Sequence, residues 1–363
     1  MKNLDKVTPY ASSVTQGDLC TMTTLIAEAQ VSAKGSIAFG EKTLLTNYVY
    51  GKNGTYKLIY TIVEMDGAID NYAEDDGILP TLFLSPDQQN YVSVIPYHPD
   101  KELEISIPIF DREDVEVPKG SRPFTGNFIG TTETCSIFHD VDFYDNKPDK
   151  ILAIEFINGK LKKKNNIKIP LPANNRISIS NKAIHLLANE DSLLLHRELD
   201  EKGNVIRHRE IGLDDISVLQ ILSASFDGHS YVLAQDKDKL VIQKIDGNGA
   251  SAVIELVDFA DPLFNTWQPV NIGDDTFITR FNSEFGNGWL TTKNDQLLEI
   301  FYSKDEQGYR NLLTNELLPI PRDNLIISSI NKTSDRAYAV VLYPMADDNG
   351  GNTELIVLNR RLQ

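Results

Sequence analysis

Histidine, a frequent acid–base group and metal ligand, is scattered in this chain rather than clustered. The six histidines lie at positions 98, 139, 185, 196, 208 and 229. None has the His-x-x-x-His spacing or another compact pattern of a metal site. His196 and His208 flank a turn at 200–203, but two ligands do not make a zinc site, so we expect both on exposed outer strands. The sequence therefore predicts no metal ligands.

Motifs of known catalytic sites are also absent from the sequence. The chain has no Gly-x-Ser-x-Gly, no phosphate-binding glycine loop and no dinucleotide-binding fingerprint. A carboxylate pair for glycoside cleavage cannot be selected among 52 Asp and Glu residues, because that choice depends on their separation in space. Catalytic residues are therefore left unassigned.

Pairs of aspartates occur in several segments that connect predicted strands. An acidic rim built from such pairs would suit Ca²⁺, which takes about six to eight oxygen ligands. Aspartate is also common in turns, where its side chain bonds the local backbone, and we favour this second interpretation. We therefore predict no cofactor and keep Ca²⁺ as the alternative. The pairs are Asp75, Asp76, Asp214, Asp215, Asp274 and Asp275.

Three arginines and two aromatic residues in connecting segments are candidates for ligand contact. The arginines stand near the start of predicted strands, where a guanidinium can clamp an anionic group, although a surface ion pair is the simpler alternative. Phe264 and Trp267 lie in the connection 257–275, and they either pack locally or bind a ligand. The predicted ligand-binding residues are Asp76, Arg122, Arg176, Asp215, Trp267 and Arg322.

Charge and hydropathy limit the classes of partner and location. The net charge of −17 disfavours nucleic acid, whose phosphates require clustered Lys and Arg, and favours a basic partner or cations. The one basic run, 160–164, is expected to be a solvated strand face. No apolar run approaches the roughly 18 residues of a membrane span. The N-terminus lacks the apolar region of a signal peptide, which predicts a cytoplasmic protein if Met1 is native and a periplasmic or exported one if a leader was removed.

A repeated phrase identifies the elements that must position these residues. "LLANEDSLLLHRELDEKG" (186–203), "YVLAQDKDKLVIQKIDGNG" (231–249) and "WLTTKNDQLLEIFYSKDEQG" (289–308) each contain a strand, a polar turn, an apolar strand and a Gly-marked turn. Alternating side chains and glycine turns are typical of β-hairpins. Asp66-Gly67 and Asn158-Gly159 mark equivalent turns in other copies.

The repeats predict an all-β, seven-bladed β-propeller of four-stranded antiparallel blades, with six or eight blades as alternatives because the first and third copies are the least regular. The seventh copy stops after its third strand, so we expect the segment 19–31 to supply the missing outer strand and close the ring. The predicted organisation is a tail at 1–18 and one propeller domain at 19–363. The approximate blades are 36–70, 79–117, 126–170, 175–212, 217–257, 275–315 and 324–363.

The phrases "LSPDQQNYVSV" and "ASFDGHSYVLA" resemble the turn between the first and second blade strands of Tol-type and WD-repeat-like propellers, where Ser-Pro-Asp-Gly precedes a strand. The resemblance implies that the ligand face is formed by the connections between blades and by the turns between second and third strands. It implies no particular activity, because these propellers include scaffolds, ligand binders and enzymes.

Three functions remain open, and the sequence favours the first. It is a non-catalytic binding or protein-interaction module that uses the loop-rich face for a protein or small-molecule ligand. The second is a metal-assisted hydrolase or lactonase with carboxylates at the channel mouth, and the third is a structural or cargo subunit of an assembly. The predicted first strands, such as "TLFLS", "RISIS" and "TFITRF", offer mostly Ser, Thr and apolar residues. This composition favours binding over catalysis.

Overall fold

The computed structural model describes strands and their tight turns through most of the chain. None of the described residues forms a helix with the length and apolarity that a membrane span requires. The described residues are 5–27, 31–50, 56–74, 81–84, 86, 92–95, 112–114, 127–140, 150–157, 160–167, 175–180, 182–190, 193–213, 217–223, 230–236, 239–246, 249–258, 270–273, 276–283, 286–293, 296–303, 308–320, 325–334, 336–344 and 354–362.

The structure describes 31 strands along the chain. The first fourteen are β1 (Asp5–Lys6), β2 (Tyr10–Gln16), β3 (Cys20–Ala27), β4 (Val31–Phe39), β5 (Lys42–Tyr50), β6 (Tyr56–Glu64), β7 (Ile69–Glu74), β8 (Thr81–Phe83), β9 (Val92–Ile95), β10 (Arg112–Asp114), β11 (Asn127–Thr131), β12 (Ser136–Asp140), β13 (Lys150–Ile157) and β14 (Lys160–Ile167). The others are β15 (Asn175–Ser180), β16 (Ala183–Glu190), β17 (Leu193–Leu199), β18 (Val205–Gly212), β19 (Ser217–Ser223), β20 (Ser230–Asp236), β21 (Lys239–Asp246), β22 (Gly249–Asp258), β23 (Val270–Gly273), β24 (Thr276–Ser283), β25 (Gly286–Lys293), β26 (Gln296–Ser303), β27 (Tyr309–Asn311), β28 (Leu317–Leu318), β29 (Leu325–Ser334), β30 (Ala337–Pro344) and β31 (Glu354–Arg361).

These strands pair into seven sheets, mostly in the order in which the chain makes them. Among the pairings that the described residues define, β9 and β10 run parallel and the other pairs run antiparallel. The sheets and their strand orders are I (β1-β7-β6-β5-β4), II (β10-β9-β8), III (β11-β12-β13-β14), IV (β15-β16-β17-β18), V (β19-β20-β21-β22), VI (β23-β24-β25-β26-β27-β28) and VII (β2-β3-β31-β30-β29).

Sheet IV shows how the sequence makes such a unit. The middle strands β16 and β17 are mostly buried, whereas the outer strand β18 is mostly exposed. Asp200 closes the turn between β17 and β18 by accepting hydrogen bonds from the backbone N–H of Lys202 and of Asn204, each at 2.8 Å. Burial alone would raise the pKa of the Asp200 carboxyl, but hydrogen bonds from Asn204 and Lys202 outweigh this effect and lower it. Gly203 supplies the positive φ of 85° that ends the turn.

The chain divides into two compact units, one of which contains both ends of the chain. Unit 1 comprises Met1–Asp140, Leu152–Lys164 and Asn324–Gln363, and unit 2 comprises Val141–Ile151 and Asn165–Asp323. Sheets I, II and VII and most of sheet III belong to unit 1, and sheets IV, V and VI belong to unit 2. The predicted single domain over 19–363 stays a prediction.

In unit 1 one strand from each sheet contacts the next sheet: β29 contacts β4, β4 contacts β8, and β8 contacts β11. Apolar side chains fill the space between the sheets. Phe83 of sheet II packs edge-on against Phe138 of sheet III, with ring centroids 5.4 Å apart, and Phe128 lies 5.6 Å from Phe138. These aromatic contacts join sheets II and III.

The N-terminal segment joins the first and last sheets of unit 1. β3 pairs with β31 from Cys20 opposite Arg360 to Ile26 opposite Glu354, as the sequence predicted for this segment. The structure adds two strands within 1–18, the predicted tail: β2 pairs with the outer side of β3, and β1 pairs with β7 of sheet I. The closing of a whole ring by this pairing stays a prediction.

Side-chain contacts hold this segment against sheet I. Lys6 Nζ lies 2.5 Å from Asp70 Oδ1, and the hydrogen bond and charge of that carboxylate raise the Lys6 pKa. The Nδ2 group of Asn47 donates to the Tyr10 hydroxyl at 3.2 Å. Burial raises the pKa of Tyr10, so this residue remains a neutral member of the core.

In unit 2 the sheets meet through their first and second strands. β15 contacts β23, and β19 contacts both β16 and β24. A shared core between sheets IV and V includes Leu187, Leu194, Val232 and Val241. Within sheet VI, Trp289 stacks on Phe301 at 5.0 Å.

Successive up-and-down antiparallel sheets that pack on their neighbours are typical of β-propeller blades. The predicted all-β class and propeller architecture are therefore confirmed. Although the described residues form seven sheets, only five blades are recognised among them. The predicted number of seven blades therefore stays a prediction.

Candidate functional site

The structure describes one of the six predicted ligand-binding residues. Arg176 is the second residue of β15, and its backbone lies opposite Leu187 of β16. It therefore belongs to the start of the first strand of sheet IV rather than to a loop. The other five predicted residues lie outside the described residues: Asp76, Arg122, Asp215, Trp267 and Arg322. Phe264 and the six aspartates of the pairs also lie outside them.

We name one strand of each sheet its inner strand, because each main contact between two sheets involves at least one of these strands, although β16 and β24 also take part. Their charged residues are Lys34, Arg176 and Lys332, all of them basic. This is notable in a chain whose net charge is −17. Positive charge on these strands favours attraction of anionic groups. The inner strands are β4, β8, β11, β15, β19, β23 and β29.

Uncharged polar side chains link two inner strands within unit 1. The Nδ2 group of Asn331 on β29 donates to Ser36 Oγ on β4 at 2.8 Å. The hydroxyls of Ser36 and Ser329 also form a hydrogen bond, and the three residues are partly buried. Serine and asparagine provide both donors and acceptors, and here they bond one another and link β4 to β29. The sequence indicated this link only through the serines of "LIISSINKTS".

Of the two histidines that were predicted on exposed outer strands, His208 is exposed on the outer strand β18 as expected, whereas His196 differs. His196 is 2% exposed, so its assignment to an exposed outer strand is wrong. It lies on β17, a middle strand that is covered by neighbours. The backbone of His208 lies opposite Arg197 rather than His196, so His196 and His208 occupy opposite faces of the sheet.

The partner of His196 is instead His185 on β16. Nδ1 of His185 lies 3.1 Å from Nε2 of His196, so one ring donates a hydrogen bond to the other. Next to them, Arg207 binds Glu198 through Nε at 2.8 Å and through a terminal nitrogen at 2.7 Å. The register of β16 and β17, which the sequence does not specify, brings these polar groups together.

Sheet VI contains a second buried polar group. Tyr309 is fully buried, and its hydroxyl donates a hydrogen bond to Asn287 Oδ1. Burial strongly raises the Tyr309 pKa, and the nearby charge of Arg280 opposes this shift. The Trp289 ring lies 4.8 Å from the Tyr309 ring. Tyr309 therefore stays protonated and acts as a hydrogen-bond donor in this core.

Metal ligands are not clustered in the part of the chain that the structure describes. There, no group of three or more His, Cys, Asp and Glu residues has a metal-binding arrangement. The aspartate pairs considered for Ca²⁺ are not among these residues, so that alternative stays untested.

Comparison with known proteins finds solved structures of low similarity to this chain, two of which are described as propellers. No protein-family model and no curated protein matches the sequence. Among solved structures, polysaccharide lyase Uly1 is 8% identical with a TM-score of 0.47, over 93% of this chain and 91% of that chain. The β-propeller domain of the Trilobed protease from Pyrococcus furiosus is 10% identical with a TM-score of 0.37, over 92% and 96%. The Dos1 propeller is 11% identical with a TM-score of 0.39, over 92% and 95%.

These low identities and TM-scores support no inference about activity or ligand. The more specific resemblance to Tol-type and WD-repeat propellers also stays a prediction.

Proposed function

We propose that this β-propeller is a non-catalytic binding or protein-interaction module whose ligand or partner presents an anionic group to the inner strands. The observation that carries the proposal is the charge of those strands. Their charged residues are Lys34, Arg176 and Lys332, within a chain of net charge −17. A basic group on an inner strand of an acidic protein attracts an anion and orients it.

The sequence supplies further contact residues for the same role. Arg122 precedes β11 and Arg322 precedes β29, so each stands a few residues before an inner strand, as Arg176 stands at the start of β15. Guanidinium groups bind carboxylates and phosphates through paired hydrogen bonds. Trp267 would add apolar contact area, and Asp76 and Asp215 would accept hydrogen bonds from donor groups elsewhere on the ligand.

The proposal takes the seven sheets as seven blades whose ring is closed by the pairing of β3 with β31. In this arrangement the contact surface is the loop-rich face formed by the connections between blades. No cofactor is needed for binding of this kind.

Titration calorimetry at low ionic strength tests the proposal, with citrate and inorganic phosphate as separate probes. We expect saturable binding of at least one probe that weakens as salt is added, because salt screens charge. Arg176→Gln is expected to weaken binding by about 10-fold or more, the equivalent of a lost charged hydrogen bond of about 1.5–3 kcal/mol.

Lys202→Gln is the matched control, because it removes the same charge from the outer turn of the same sheet. Equal affinities of the two variants, or no binding of either probe to the wild-type protein, would contradict the proposal. Hydrolysis of a lactone or phosphate-ester substrate by the purified protein would support the enzymatic alternative instead.

A further inference from the structure

A pocket of about 210 Å³ lies in unit 1, beside the turn between β2 and β3. Its wall is made by this turn, by the turn between β6 and β7, and by the end of β31. It is therefore built from turns and strand ends other than the inner strands considered above. The polar residues in its wall include Gln16, Asp18, Cys20, Asp66, Asn359 and Arg361.

Backbone hydrogen bonds fix the walls of this pocket. Gly17 N–H donates to the Cys20 carbonyl at 2.7 Å and closes the turn between β2 and β3. Arg361 N–H donates to the Leu19 carbonyl at 2.9 Å and holds the end of β31 against that turn. The third wall is attached by Asn359, whose Nδ2 donates to the Glu64 carbonyl at 3.1 Å. The pocket is thus defined by backbone positions rather than by long side chains alone.

Charges of both signs line this preformed pocket. Asp18, Asp66 and Arg361 are all exposed, and among the described residues no ion pair joins Arg361 to either carboxylate. Asp66 uses Oδ1 to accept a hydrogen bond from Ala68 N–H at 3.0 Å, which orients its carboxylate. One guanidinium and two carboxylates therefore share a pocket without neutralising each other.

We propose that this pocket binds a small zwitterion that carries one carboxylate and one ammonium group, such as a free α-amino acid. Arg361 binds the carboxylate through paired hydrogen bonds, and Asp18 and Asp66 bind the ammonium group. The volume is below the roughly 300–1,000 Å³ of sites for drug-sized molecules, and therefore suits a ligand of a few heavy atoms.

Titration calorimetry with glycine as the probe tests the proposal. We expect saturable binding of glycine to the wild-type protein and at least about 10-fold weaker binding of propionate and ethylamine, because each retains only one of the two charges. Arg361→Gln and Asp18→Asn are expected to weaken glycine binding by a similar factor. Arg336→Gln, an exposed arginine of unit 1 outside the pocket wall, is the matched control and should bind glycine as the wild type does.

The rate of cysteine alkylation by iodoacetamide gives a second readout, which uses the wild-type protein without substitutions. Cys20 lies in the pocket wall and is partly buried, whereas Cys135 is buried and neither forms a disulfide. Glycine is expected to slow alkylation of Cys20 and to leave Cys135 unchanged.

Three results would overturn the proposal: propionate or ethylamine binding as tightly as glycine, Arg361→Gln binding like Arg336→Gln, or no effect of glycine on Cys20. Arg176→Gln should leave glycine binding unchanged, so failure here is distinguishable from failure of the proposed function.

Discussion

Truncation of Leu25 tests how strongly the N-terminal segment stabilises unit 1. Leu25 lies on β3 and is 0% exposed. Its core cluster includes Leu45 and Val63 of sheet I and Leu355 and Val357 of sheet VII. Leu25→Ala therefore opens a cavity among side chains of three segments that are far apart in sequence.

The expected cost follows from the atoms that are removed. Leu→Ala deletes three buried carbon groups at about 0.8 kcal/mol each, and incomplete collapse of the cavity adds to this cost. We expect Leu25→Ala to lower the free energy of unfolding by about 2–5 kcal/mol. A typical domain is stable by about 5–15 kcal/mol, so the loss is a large part of the total.

The neighbouring residue provides a matched control. Ile26 is on the same strand but faces outward and is 45% exposed. Ile26→Ala also lowers β-propensity, so the difference between the two variants isolates the effect of burial. Urea unfolding followed by far-UV circular dichroism measures both. Equal losses, or a loss below about 1 kcal/mol for Leu25→Ala, would refute the packing of β3 into this core.

Three further predictions concern a turn, a buried hydroxyl and a carboxylate. Gly67 has a φ of 91°, and a Cβ there would lie 2.6 Å from a Val14 methyl, so Gly67→Ala should destabilise the protein by about 1–3 kcal/mol in urea unfolding. Tyr309→Phe removes a buried hydrogen bond and should cost about 1–3 kcal/mol, measured by urea unfolding with tryptophan fluorescence. Asp200→Asn should destabilise the protein at neutral pH. The difference in free energy of unfolding between this variant and the wild type, measured in urea, should become smaller below about pH 4. A depressed carboxyl pKa stabilises the fold above the unfolded value of about 3.9, and this contribution is lost as the pH falls through the folded value.

Each of these predictions can fail clearly. Gly40→Ala is the control for Gly67, because Gly40 has a φ of 53° with open space around it, and equal losses would contradict the close contact at Gly67. A Tyr309→Phe variant as stable as the wild type would contradict the buried hydrogen bond. If the free energies of unfolding of Asp200→Asn and the wild type differ by the same amount from pH 7 to pH 3, this would contradict the lowered carboxyl pKa.

The sequence predicted those parts of the fold that local patterns encode. Alternating strands and the Asp66-Gly67 turn are local, and the structure gives Gly67 the positive φ that this turn requires. The missing outer strand of the last copy also predicted the pairing of β3 with β31, because an unpaired sheet edge is unfavourable. The pairings of β1 and β2 were missed, since "YASSVTQ" is an exposed edge strand with only Tyr10 buried and lacks a strong apolar alternation.

The candidate site depended on features that the sequence does not encode locally. His196 was misplaced because β17 is covered on both faces, and periodicity cannot show which polar residue of "LLLHREL" is buried. Its contact with His185 depends on the register of β16 and β17. Arg176 was assigned to the entrance of an inner strand because a polar connection precedes an alternating "RISIS", and the structure places it in β15.

Hydrogen exchange followed by mass spectrometry tests most directly whether the N-terminal segment is an integral strand of the last sheet. Peptides that cover 20–27 and 354–361 are expected to exchange at similar slow rates, since each strand supplies the hydrogen-bond partners of the other. The edge strand at 10–16 should exchange faster than both. Exchange of 20–27 at the rate of an unstructured peptide, with 354–361 still protected, would contradict the pairing that joins the two ends of the chain.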